Sequence, residues 1–241
     1  MKATEAKLLD FLKKSPQFVI PIYQRTYSWT EKECRQLWDD IVRCGSSDKI
    51  AVHFVGSIVY VESGLSQVTH QAPLLVIDGQ QRLTTVSLLL AALAKAVAES
   101  EPFDGFSQRK IKNYYLVNPE ETGERHFKLL LSQTDEATLT ALVGDGEPPQ
   151  HPSIRINANF DSFKRWIGEG KVELATLCKG LAKLVVVDIA PRMRSLESCA
   201  SSAVRIKKAL CEPGLTPSSA PARLIASYGS VISIGRSLPI H

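Results

Sequence analysis

The sequence predicts an α+β fold, on three observations. Phe54–Val61, Leu74–Ile77 and Leu184–Ile189 are short runs with the composition of buried strands. Apolar stripes at helical spacing stand between them: Cys34, Leu37, Trp38 and Ile41, then Ile156, Phe160, Phe163 and Ile167. No segment repeats, and 241 residues, 44% of them apolar, suffice for one sizeable core. The expected organisation is a small sheet with packed helices over residues 1–145, a helix-strand continuation of the same domain over 152–189, and an irregular tail over 190–241.

Each element has a local reason. Ala3 to Lys14 carries Leu8, Leu9, Phe11 and Leu12 on one side and predicts a helix stopped by Ser15-Pro16. Gln17–Ile20 is a short extended piece running into Pro21. Thr30-Glu31-Lys32-Glu33 is a capping box, opening the helix that carries Cys34 and Trp38. Gly56 in the first strand run permits a bulge or a close neighbour. Leu74–Ile77 ends at Asp78-Gly79, and a helix of roughly five turns follows from about Gln81 to Glu99. Helical patterns at Ser107–Val117 and Asp135–Val143 flank a strand-like Phe127–Leu131. The three prolines and two glycines of Gly144–Pro152 mark an exposed loop or internal boundary.

Composition bounds the function. The longest apolar stretch, Val86–Ala98, is interrupted by Lys95 and falls short of the ~20 residues of a membrane span. The N-terminus lacks a secretory h-region, so a cytoplasmic location without membrane attachment is expected. Five cysteines without a C-x-x-C pair point away from a disulfide framework or zinc site, and Cys34 and Cys178 read as small buried hydrophobes. Residues 1–189 hold 22 Lys+Arg and 23 Asp+Glu, whereas residues 190–241 hold 7 and 2, so the basic excess belongs to the tail and is no argument for DNA binding by the folded part. Ten of the last 52 residues are serine and only Tyr228 is aromatic. Two readings of that stretch stay open: a flexible tail, or a shifted reading frame near residue 190.

Two constellations carry chemistry. In Asp78-Gly79-Gln80-Gln81-Arg82-Leu83-Thr84-Thr85, a strand passes through a glycine turn into a helix, whose unpaired amides and dipole favour an anion. Arg82 can grip a phosphate through two parallel hydrogen bonds, Gln80 and Gln81 add neutral donors, and Thr84 and Thr85 offer hydroxyls. Asp78 is placed to hold a divalent cation or orient water. The competing reading is that Asp78 merely caps the helix and Arg82 pairs with it. In Pro21-Ile22-Tyr23-Gln24-Arg25-Thr26-Tyr27-Ser28-Trp29, aromatic rings and an arginine can stack a base and reach a phosphate, with Tyr23, Gln24 and Arg25 the functional candidates and Trp29 a core residue. The competing reading here is an arginine-aromatic corner that closes the N-terminal helix.

Together these motifs, with Phe54-Val55-Gly56-Ser57-Ile58-Val59 between them, resemble the N-terminal domain family of GmrSD-type restriction endonucleases over roughly residues 5 to 189. That resemblance implies a ParB/sulfiredoxin-like fold and an NTP-binding, NTP-hydrolysing regulatory domain of an antiphage system that restricts modified DNA. It implies GTP or ATP with Mg2+ as cofactors, and a His-Asn-His nuclease domain or subunit as partner. Carried over, Asp78, Gly79, Gln80, Gln81 and Arg82 form the phosphate loop, Tyr23, Gln24 and Arg25 face it, and Asp78, Arg82 and Arg25 are the catalytic candidates. The sequence departs from the pattern in showing no His-Asn-His region and in replacing the expected continuation beyond Ile189 with the Ser/Pro-rich tail. Alternatives are a ParB-type DNA-binding module without hydrolysis, a nuclease in which Asp188 joins Asp78, or an inactive truncated remnant.

Overall fold

In chain order, the computed structural model contains β1 (Lys2–Lys7), α1 (Leu8–Lys14), β2 (Phe18–Val19), α2 (Glu31–Gly45), β3 (His53–Glu62), β4 (Leu74–Asp78), α3 (Gln80–Val97), α4 (Gln108–Ile111), β5 (Leu129–Leu130), α5 (Thr134–Gly144), α6 (Ile154–Gly168), α7 (Leu174–Ala182) and β6 (Leu184–Ala190). It describes residues 2–62, 72–97, 100–132 and 134–190. The serine-rich segment beyond residue 190, with the frame-shift reading attached to it, lies outside the described residues. So does the greater part of the polar loop between β3 and β4.

One mixed sheet runs in the order β1-β6-β3-β4-β2-β5. β3 pairs antiparallel with β4 and parallel with β6, so the last strand of the fold is inserted beside the first long one. α6 packs on α3, and residues 154–190 thereby complete the same sheet and core as the residues before them. The N-terminal helix expected from Ala3 is corrected by the structure. Lys2–Lys7 is a strand paired antiparallel with β6, and only Leu8–Lys14 is helical. The open edge of β6 supplies ladder partners that local helix propensity cannot match, and Ala3 and Ala6 fall against different apolar clusters, as alternation requires. The helix expected over Ser107–Val117 is one α turn continued by a π-helical turn, Lys112–Leu116.

α3 explains the placement of the site. Fifteen of its 18 residues are buried, from Gln80 to Val97, so it is apolar nearly all round and runs through the middle of the core. Its N-terminus emerges where β4 ends. α2 begins with the predicted capping box: Thr30 accepts from the backbone and Glu33 reaches back to the Thr30 amide at 2.7 Å. α2 meets α7 at two glycines, where a side chain on Gly45 or Gly180 would strike the backbone of the opposite helix, at Thr176 or Ile41. Cys34, Cys44 and Cys178 are buried free thiols.

Candidate functional site

Gly79 turns β4 into α3 at φ +99°, a conformation that only glycine adopts without strain. A Cβ there would stand 3.0 Å from the Ser57 carbonyl oxygen and 3.2 Å from the Ile58 Cα. The close approach that glycine permits is therefore to the neighbouring strand β3. Asp78, the last residue of β4, pairs with Val59 at a bulge and is partly exposed.

Arg82 lies on the β3 side of the helix start. Its guanidinium rests over Gly56, where an added Cβ would sit 2.6 Å from Nε, and its Nη1 donates to the Ser57 carbonyl at 3.2 Å. Gly56 itself has φ +119°. The sequence allowed a bulge or a close neighbour at Gly56, and the structure has both: the β3–β6 register shifts between Phe54 and Ser57, and the neighbour is this arginine. Among the described residues neither Arg82 nor Arg25 forms an ion pair with an acidic side chain, and Asp78 forms none with a basic one.

The first motif packs against the opposite side of the helix start. After β2 the chain turns away at Pro21, which leaves the carbonyls at the end of β4 without a strand partner. Gln24 replaces that partner, its Nε2 donating to Val76 and Ile77 oxygens at 2.7 and 2.9 Å. Gln80 donates to the Arg25 carbonyl at 2.8 Å, and the Gln81 Oε1 accepts from the Ser28 and Trp29 amides at 2.8 and 3.3 Å. Thr84 and Thr85 donate back to the Gln80 and Gln81 carbonyls within α3. The structure thus brings both motifs together, with the amide side chains of Gln24, Gln80 and Gln81 directed at backbone. Tyr23 and Arg25 are exposed at the rim, Tyr23 at 74%.

Three further residues belong to this arrangement and were not singled out from sequence. Tyr27 is buried, and its hydroxyl meets the Thr85 hydroxyl at 2.7 Å and accepts from Asn159 at 3.0 Å. Burial, reinforced by the nearby Cys34, pushes that hydroxyl well above its ordinary pKa, and burial likewise pushes the Cys34 thiol up to about 11. Asp135, at the start of α5, accepts from the Tyr27 amide at 2.6 Å. Asn159, on α6, also donates to the Trp29 carbonyl at 2.9 Å. No sequence signal marks Asp135 or Asn159, since each lies more than 100 positions from its partner. Asp188 lies in β6, with β3 between it and the Asp78 strand: it pairs with Ile58 of β3 and takes the Tyr60 hydroxyl as a hydrogen-bond partner.

The crevice between the first motif and α3, lined by Arg25, Tyr27, Gln80, Thr84 and Asp135 among others, has no room for a water molecule. The candidate residues that keep exposed or partly exposed side chains are Asp78, Arg82, Arg25 and Tyr23.

The family model described as GmrSD restriction endonuclease, N-terminal domain, matches residues 7–181. The chain belongs to this family. Both motifs and all of β2 to α6 fall within the matched span, and membership points to a component of a restriction system. No curated protein matches the chain. Among the described residues no helix is long and apolar enough to cross a membrane.

Proposed function

We propose that this GmrSD-family domain binds a nucleoside triphosphate, GTP or ATP, at the rim around the start of α3, and that its hydrolysis gates a His-Asn-His nuclease acting on modified DNA. The observation that carries the reading is the pair of guanidiniums without acidic partners among the described residues: Arg82 on the β3 side of the helix start, Arg25 on the side of the first motif. An arginine without a carboxylate beside a helix N-terminus is a strong anion receptor, because the dipole and the bidentate fork act on the same phosphate. The backbone amides at Gln80 and Gln81 add to it. Tyr23 offers an exposed ring on which a base can stack. In this reading the sheet and helices are a ParB/sulfiredoxin-like scaffold.

Among the described residues no group of three His, Cys, Asp or Glu side chains is arranged for a metal ion. Magnesium suits such a site, since it is commonly held by one or two carboxylates plus substrate phosphates, and Asp78 supplies the one. Bound there, the ion would neutralise charge on the phosphate oxygens. Arg82 would orient the phosphate chain and Arg25 would meet the charge that develops as the terminal phosphoryl leaves.

Titration with a panel of nucleoside triphosphates and magnesium tests the reading. Binding that Arg82→Ala weakens sharply is the expected result. Equal affinity in wild type and variant removes the site. Duplex binding that is steeply salt-dependent and indifferent to nucleotide would replace it with the DNA-binding alternative.

A further inference from the structure

Residues 25–29 form no helix or strand and run beside α3, α5 and α6; Tyr27 is buried, Trp29 half-buried and the side chains of Arg25, Thr26 and Ser28 exposed, while the backbone groups that meet those helices are buried or part-buried. An irregular backbone in such a place needs partners for its polar groups, because each one buried without a hydrogen bond costs roughly 1–3 kcal/mol. Four side chains from distant elements supply them. Gln80 serves the Arg25 carbonyl at 2.8 Å. Gln81 serves the Thr26 carbonyl at 3.4 Å and the Ser28 and Trp29 amides at 2.8 and 3.3 Å. Asp135 serves the Tyr27 amide at 2.6 Å, and Asn159 the Trp29 carbonyl at 2.9 Å.

We infer that Gln80, Gln81, Asp135 and Asn159 are positioning residues that build this strap and thereby fix where Arg25 stands, the two glutamines acting on the strap and not on a ligand. Both glutamines are 8% exposed, and Gln81 uses both ends of its amide on strap backbone. The strap is held by side chains: where a neighbouring strand would hold an extended segment, residues of α3, α5 and α6 hold this one. The role of Arg25 in that statement rests on the nucleotide reading above; the construction of the strap does not.

Substitutions that keep or remove the acceptor separate the two possibilities. Gln81→Glu and Asp135→Asn each retain an oxygen for the strap amides, whereas Gln81→Leu and Asp135→Ala do not. The first measurement is amide hydrogen exchange at Tyr27, Ser28 and Trp29 in the whole chain. Protection should fall about tenfold or more in the Leu and Ala variants and stay near wild type in the Glu and Asn variants. The second is GTP and ATP affinity with magnesium, which should follow the same pattern, with Arg25→Ala adding nothing further in the Gln81→Leu background.

Gln81→Glu that keeps its amide protection but binds nucleotide as poorly as Gln81→Leu would overturn the inference and make the glutamine a ligand. If wild type binds no nucleotide, the functional reading falls, and exchange alone decides the strap: undiminished protection in Gln81→Leu and Asp135→Ala overturns it. Should Gln81→Leu fail to fold, the Asp135→Ala and Asp135→Asn pair gives the same comparison.

Discussion

Replacing Gly56 by alanine separates the seat of Arg82 from the stability of the fold. Gly56 has φ +119°, where an L side chain is strained at a cost of roughly 1–3 kcal/mol. The added Cβ would meet Arg82 Nε at 2.6 Å, so the guanidinium must leave its place over the strand and give up its bond to the Ser57 carbonyl. If Arg82 holds a phosphate, displacing it forfeits a charge-assisted hydrogen-bond pair worth about 1.5–3 kcal/mol, or roughly 10- to 150-fold in affinity. The assay is isothermal titration with the nucleotide that binds wild type, beside a thermal melt of the same samples. Gly56→Ala should melt several degrees lower, at roughly 2–4 °C per kcal/mol for a chain of this size, and should bind nearly as weakly as Arg82→Ala. Affinity equal to wild type in a folded Gly56→Ala protein, with Arg82→Ala impaired, would refute the argument that Gly56 seats the arginine.

Other consequences are read on stability. Gly180→Ala places a methyl against the Ile41 carbonyl at the α2–α7 crossing and should destabilise by about 1–3 kcal/mol in urea unfolding, without changing nucleotide affinity per folded molecule; an unchanged midpoint would mean that the helices separate freely. Tyr27→Phe removes the hydroxyl shared by Thr85 and Asn159 and should cost about 1–3 kcal/mol, measured by the same unfolding curves. Alkaline pH should unfold the protein through its buried thiols. Cys34 and Cys178 are pushed by burial from 9.0 up to about 11 and about 12, so the folded state holds these protons more tightly than the unfolded chain. Their contribution is intact below about pH 9 and is lost as pH rises through 11 to 12, with Tyr27 and Tyr60 shifted the same way. Melts across pH 8–11 should fall with pH, and Cys34→Ala with Cys178→Ala should flatten that fall; an unaltered slope would exclude the thiols.

The sequence by itself determined the elements whose signals are local. The capping box at Thr30, the apolar runs of β3 and β4, the glycine turn at Gly79 and the long apolar helix after it all depend on residues within a few positions of one another. It also determined the family, because both motifs stand in contiguous residues. Only the tertiary structure decided that Lys2–Lys7 is a strand, since its partner β6 lies about 180 residues away and contributes nothing to local propensity. Tertiary structure also decided what the polar residues of the motifs touch. Gln24, Gln80 and Gln81 have the chemistry of phosphate donors and of backbone partners alike, and the choice is set by backbone outside any ladder: Gln24 and Gln80 donate to carbonyls at the end of β4 and at Arg25, and Gln81 accepts from the Ser28 and Trp29 amides. Asp135 and Asn159 complete the strap from helices remote in the chain, and Gly56 becomes the seat of Arg82 only when β3 lies beside the start of α3. Composition names the groups able to bond; the pairing of distant backbone fixes which of them are already engaged, and therefore which remain for a ligand.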